Sequence, residues 1–195
     1  MPPDAPRALP RGPHRLAREV VLASQRGRLL DAIAQVVAEK GYGPATVADV
    51  IERAGVSRKT FYEHFRDKEA CFLAAYDTGV AVLLATMREA GDTRARVRAY
   101  LETLAAEPAF ARTFLIEVAA AGARALRRRR EVHDAFAAFV TEAAPGPVPD
   151  HVALAAVGAT QELVTRWVED GRTAELPALT DTVSFVYLAL LGPRP

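Results

Sequence analysis

Arg58, Lys59, Tyr62 and His64 lie within seven consecutive residues. Phe61 and Phe65, four apart, face inward with Val56 and leave these four to point outward. The outward set holds hydrogen-bond donors and an aromatic hydroxyl with no apolar stripe, which suits base edges and phosphate oxygens better than a core. Arg58 and Lys59 also fall in the first turn, where a cation sits poorly against the positive end of the helix unless an anion binds there. Other chemistries fare worse. His133 and Asp134 are adjacent, so on a helix their side chains diverge by about 100° and cannot act as a base and its orienter. The four histidines show no HExxH or similar metal spacing, and no glycine-rich phosphate loop occurs. No metal, no cofactor and no catalytic role are expected.

The donors need a scaffold to present them. Leu29, Leu30, Ile33, Val36 and Val37 recur at helical spacing after Ser24, and Gly41 supplies a left-handed stop, which predicts a first helix. Thr46 and Asp49 match a capping box at the start of a short second helix, Val47–Ala54. Gly55-Val56 makes the turn, and Ser57 caps a third helix that runs to about Phe65. Two short helices joined this tightly have the form of a helix-turn-helix, whose second helix enters a major groove. Asp67 caps a fourth, longer helix reaching about Ala90. Beyond Gly91 every segment reads as helix, with breaks near Glu107-Pro108, Ala120–Gly122, Ala144–Pro149 and Gly171–Pro177. The fold class expected is all-α, with about nine helices and no strand.

Charge divides the chain in the same place. Residues 1–68 carry 12 Lys/Arg against 8 Asp/Glu, and residues 69–195 carry 13 against 16, so the basic end is the candidate for a polyanion partner. Residues 1–22, with five prolines among their arginines, read as a flexible basic arm. Residues 23–67 read as the helix-turn-helix head, and residues 68–195 as a larger body. A single cysteine, Cys71, excludes an intramolecular disulfide framework and fits a small core residue. No uninterrupted apolar run reaches the roughly 18 residues of a membrane span, and the N-terminus does not read as a signal peptide. A cytoplasmic location with no membrane partner is expected.

Gly41-Tyr42, Thr46-Val47, Ala54-Gly55-Val56-Ser57, Thr60-Phe61-Tyr62, His64-Phe65 and Lys68-Glu69 occur in this order within residues 24–77, which resemble the DNA-binding domain of the tetracycline-repressor (TetR) family. The resemblance implies a homodimeric regulator, usually a repressor, that binds a pseudo-palindromic duplex operator and is released by a small molecule. An activator or a co-repressor-dependent regulator is the nearest alternative, and a helical enzyme or an adaptor a distant one. It implies base reading by Arg58 and Lys59 with Thr60 beside them. Phosphate contacts fall to Thr46, Tyr62, His64 and Lys68, and Ser57 serves as cap and phosphate ligand. Two residues depart from the family pattern, Ile51 where alanine is usual and Cys71 where leucine is common.

The body yields broader expectations. The fourth helix carries Tyr76, Val80, Leu84 and Met87 along one apolar face, and Tyr100, Phe110, Phe114 and Phe136 can close a cavity opposite it. Its ligand is expected to be mostly apolar, with one polar group met by Glu117, His133 or Tyr100. Helices at about 150–170 and 180–191 are apolar on most faces and so need a partner on most faces. Ala153, Val157, Gly158, Leu163, Trp167, Phe185 and Leu188 are expected at a four-helix dimer interface. The run Arg127–Arg130 circles its helix and reads as a solvated stretch.

Overall fold

The computed structural model describes residues 15–192, with side chains from Ser24 onward. Among these residues there are nine α-helices and no strand, as expected. They are α1 (Arg15–Lys40), α2 (Val47–Ala54), α3 (Arg58–His64), α4 (Lys68–Glu89), α5 (Thr93–Ala106), α6 (Pro108–Leu115), α7 (Ala123–Glu142), α8 (Asp150–Glu169) and α9 (Thr180–Leu191). Short 3-10 turns at Glu117–Ala121 and Thr173–Leu179 join α6 to α7 and α8 to α9. The first helix begins at Arg15 rather than near Ser24, so the end of the segment read as an arm is helical. Residues 1–14, the rest of that arm, lie outside the described residues.

Local chemistry sets the boundaries. Thr46, Ser57, Asp67 and Asp92 each accept a hydrogen bond from a backbone amide in the first turn of α2, α3, α4 and α5. Pro108 opens α6, where its missing amide costs nothing. Gly41 at φ 83° and Gly55 at φ 62° end α1 and α2 in the left-handed region that a side chain resists.

Two hydrophobic cores meet along α4. The first joins Leu29, Ile33, Val50, Phe61 and Phe72 to Phe114, Val118, Ala125 and Val132. The second gathers Leu83, Met87, Leu101, Leu104, Val157, Val164 and Val183, with Leu84, Phe110 and Phe136 packed against both. The first core runs unbroken across the boundary expected after Asp67. Phe110 lies on Gly79 of α4, where an ideal Cβ would fall 1.7 Å from its ring.

Two stretches, Lys68–Glu89 and Thr173–Leu191, are long and apolar enough by length and composition to cross a membrane. Neither is an uninterrupted apolar run, because Asp77 breaks the first and Glu175 and Asp181 the second. In this fold α4 is a core helix, packed on α1, α5 and α7.

Candidate nucleic-acid interface

The head is built around the caps of its two short helices. Asp49 accepts from the Thr46 amide and the Thr46 hydroxyl, each at 2.8 Å, while the Asp49 amide donates back to the hydroxyl at 3.2 Å. Lys40 Nζ donates to the same carboxylate at 2.6 Å. That ammonium, ahead of the Thr46 hydrogen bonds, holds the Asp49 carboxyl down at about 2. At the far end of α2 the Val56 amide returns to the Ile51 carbonyl at 3.3 Å, closing the helix around Gly55. Arg53 grips Glu39 of α1 through two hydrogen bonds, at 2.7 and 2.5 Å.

α3 is held from behind and bare in front. Phe61 and Phe65 are buried, their rings 5.9 Å apart, and anchor the helix on the core. Arg58, Lys59, Tyr62 and Glu63 are exposed on the other side. The Lys59 side chain is 87 % exposed, with Glu63 3.9 Å away. The Arg58 guanidinium lies 5.6 Å from the Tyr62 ring centroid, a stacking that keeps both side chains upright at the surface. Ser57 Oγ accepts from the Thr60 amide at 3.0 Å and shares a hydrogen bond with the Thr60 hydroxyl at 2.9 Å. The structure thus brings Ser57, Arg58, Lys59, Thr60 and Tyr62 together at the exposed start of α3, with Thr46 exposed at the start of α2. Arg58 and Lys59 occupy a first turn that carries no acidic residue.

Two expected contacts are placed differently. Lys68 does not reach outward: its ammonium donates to the carbonyls of Tyr42 at 2.6 Å and Ala45 at 2.7 Å and lies 4.2 Å from the Tyr42 ring centroid. Burial lowers its pKa. The start of α4 lies behind the loop between α1 and α2, and the nearest acceptors there are that loop's own carbonyls. His64 is half-buried, its ring beside Phe65, and its Nε2 is enclosed without a partner among the described residues. The exposed Arg26, whose guanidinium lies 5.6 Å from the Phe65 ring centroid, and Glu63 complete this surface and were not expected there. Glu63 had a readable signal, since it stands one helical turn after Lys59.

The body residues expected to line one cavity fall into separate groups. Tyr76 stacks on Phe114 at 5.1 Å, Phe110 lies 4.6 Å from Phe114, and Phe72 links both to Tyr42 at 5.0 Å. Tyr76 and Val80 are packed core, and burial pushes the Tyr76 hydroxyl up to about 12, whereas Phe110 and Phe114 line a separate cavity of about 400 Å³ between α1, α4 and α6. Met87, Tyr100 and Phe136 instead border a void of about 30 Å³, and Leu84 packs between the two cores. Burial raises the Tyr100 pKa. The Glu117 carboxylate accepts from the Tyr42 amide at 2.9 Å, on the loop that Lys68 clasps from the other side. A carboxylate in the turn after α6 lies over that loop and meets an otherwise unsatisfied amide. His133 is half-buried with Nε2 unpartnered among the described residues, and burial, then the Arg129 charge, lowers its pKa. The arginine run is only partly solvated, because Arg128 bonds Asp77 of α4 at 2.5 Å and Arg129 Nε is enclosed.

The expected dimer residues divide as well. Ala153 and Val157 are buried within the chain, where α8 faces its own core, and Leu163 and Trp167 are half-buried against the same core. Gly158 lies beside Leu154, Ala155 and Ala159 on the exposed side of α8, and Phe185 and Leu188 on α9 are 71 % and 57 % exposed.

Residues 29–75 match the profile of bacterial regulatory proteins of the tetR family. The HTH-type transcriptional activator FasR of Mycolicibacterium smegmatis is 34 % identical over 97 residues, 48 % of this chain and 44 % of that protein. The HTH-type transcriptional repressor Rv1474c of Mycobacterium tuberculosis is 43 % identical over 53 residues, 27 % of this chain and 28 % of that one. The chain thus spans less than half the length of these relatives. Among solved structures, the fatty acid degradation regulator FadR of Bacillus halodurans matches 86 % of this chain and 99 % of its own, with a TM-score of 0.69 and 24 % identity. FadR of Bacillus subtilis, solved in complex with stearoyl-CoA, covers the same shares with a TM-score of 0.70 and 20 % identity. At these identities the structural likeness speaks for the fold. The match to the tetR-family profile lies on α2, α3 and the parts of α1 and α4 that hold them.

Proposed function

We propose that the chain is a cytoplasmic transcriptional repressor that grips a pseudo-palindromic DNA operator as a homodimer and lets go when a small, mostly apolar molecule enters its body. The observation that carries this is the start of α3, where Arg58, Lys59 and Tyr62 stand free on a helix whose other side is locked by Phe61 and Phe65. In a major groove Arg58 and Lys59 read bases with Thr60 beside them, and Thr46, Ser57 and Tyr62 hold phosphates. The relatives include an activator and a repressor. The sign of regulation follows from operator position, and repression is the family's usual role. The solved complex of a similarly folded FadR with stearoyl-CoA supports a ligand-responsive body.

Pairing through the exposed sides of α8 and α9 places two copies of α3 on half-sites about one helical turn apart. The switch runs along α4. It starts at Lys68, which holds the loop before α2, and ends at Met87 deep in the body, so a ligand that shifts α4 shifts the head. Selection of bound duplexes from random sequence tests the assignment. A palindromic consensus is expected, and Arg58→Ala should cost about 1–3 kcal/mol and relax one base position per half-site. An unchanged consensus and affinity for Arg58→Ala would refute the base-reading role.

A further inference from the structure

Between the last turns of α4 and α7 and the helices α5 and α9 lies a cleft of about 190 Å³, walled by Met87, Val97, Phe139, Val140, Tyr187 and Leu191. The void of about 30 Å³ beyond it shares Met87, Val97 and Tyr187 with it and adds the polar groups of Tyr100 and Gln161. The passage is apolar along its walls, with polar groups at the smaller void. Arg96 lines its mouth, and the Arg88 guanidinium, outside the lining, lies 5.6 Å from the centroid of the Phe139 ring, which Arg96 approaches to 5.8 Å. Neither meets a carboxylate among the described residues, whereas their neighbour Arg94 pairs with Asp181. Arg96 spends only its Nε, on the Ala90 carbonyl at 3.3 Å. Two guanidiniums beside one ring, with most of their donors free, offer charge-assisted hydrogen bonds to an anion.

We propose that this cleft binds a small anionic amphiphile, with an unbranched aliphatic chain inserted past Met87 and Val97 and its head group held by Arg88 and Arg96. The volume lies below the roughly 300–1,000 Å³ of sites for drug-sized molecules, which favours a slender chain over a fused ring system. Methionine at the constriction lets the walls yield to chain length. Because Met87 and Arg88 end the helix that begins at Lys68, occupancy bears directly on α4. In its regulatory meaning the inference rests on the ligand-release reading above, while binding itself stands apart from it.

Calorimetry on the whole chain tests it with decanoate, decyl phosphate, decanol and decylamine, each below its micellar concentration. Both anions should bind, with decanol weaker by about tenfold or more and decylamine weaker still. The stronger anion names the head group as carboxylate or phosphate. The double variant Arg88→Gln/Arg96→Gln should bring the anions down to the level of decanol and leave decanol unchanged. Val97→Trp, with helix content as in the parent, should abolish all binding. Failure of both anions to bind, anions no tighter than decanol, or a double variant that binds anions normally would each overturn the proposal. Operator affinity measured with and without decanoate separates the two readings: binding without any effect on DNA leaves the site standing and refutes release.

Discussion

Removing the Lys68 ammonium leaves the carbonyls of Tyr42 and Ala45 without their donor inside a packed loop. Lys68→Ala should therefore lower stability by about 1–3 kcal/mol, read as a drop in melting temperature, and leave the salt dependence of DNA binding unchanged. A salt slope reduced by about one unit would return the residue to a phosphate. His133 makes a pH prediction. Its imidazole titrates near 6.5 when unfolded and lower when folded, because burial penalises the charged form. Below about pH 6.5 the unfolded chain takes up a proton that the folded chain resists, so stability falls as the solution is acidified through this window. Melting temperatures of His133→Phe should decline less between about pH 7 and 5 than those of the parent, and equal declines would contradict the assignment. At this scale Arg58, Lys59 and Tyr62 were legible because spacing from Phe61 fixes their direction. Lys68, His64 and Glu117 were not, since their partners come from other elements and a single helix cannot reveal them.

Gly79 sits inside α4, where glycine ordinarily weakens a helix and alanine would gain about 1 kcal/mol. Here the Phe110 ring occupies the space of the missing methyl. Gly79→Ala should thus destabilise by about 1–3 kcal/mol, and the same change in a Phe110→Ala background should be neutral or stabilising. Denaturant titrations of the four proteins in this cycle test it, and additive effects would sink it. The elements themselves were readable from their ends: Thr46 with Asp49, Ser57 and Asp67 cap the helices they were expected to cap. What periodicity does not supply is the facing of one helix against another. Tyr76 and Phe114 are apolar residues at helical spacing whether they line a cavity or fill it; Tyr76 fills the core, while Phe114, stacked on it, also borders a cavity.

At the scale of the molecule, α8 and α9 read as apolar nearly all round, which signals burial on two sides without saying which side meets which neighbour. The structure turns Val157 inward and leaves Ala155, Ala159 and Phe185 outward. Val157→Glu should then lose the fold, as an unpaired charge in a packed core, whereas Ala159→Glu should keep its helix content and sediment as a monomer with weakened operator binding. A dimeric Ala159→Glu protein would move the interface elsewhere. The unbroken first core, running from Leu29 through Phe61 to Phe114 and Val132, carries a consequence for building hybrid regulators. A head exchanged between relatives at Asp67 would be grafted onto α6 and α7 that evolved against a different α1, with Phe114 and Val118 mismatched at the seam. A working chimera should need the stretch from Pro108 to about Val132 to travel with the head.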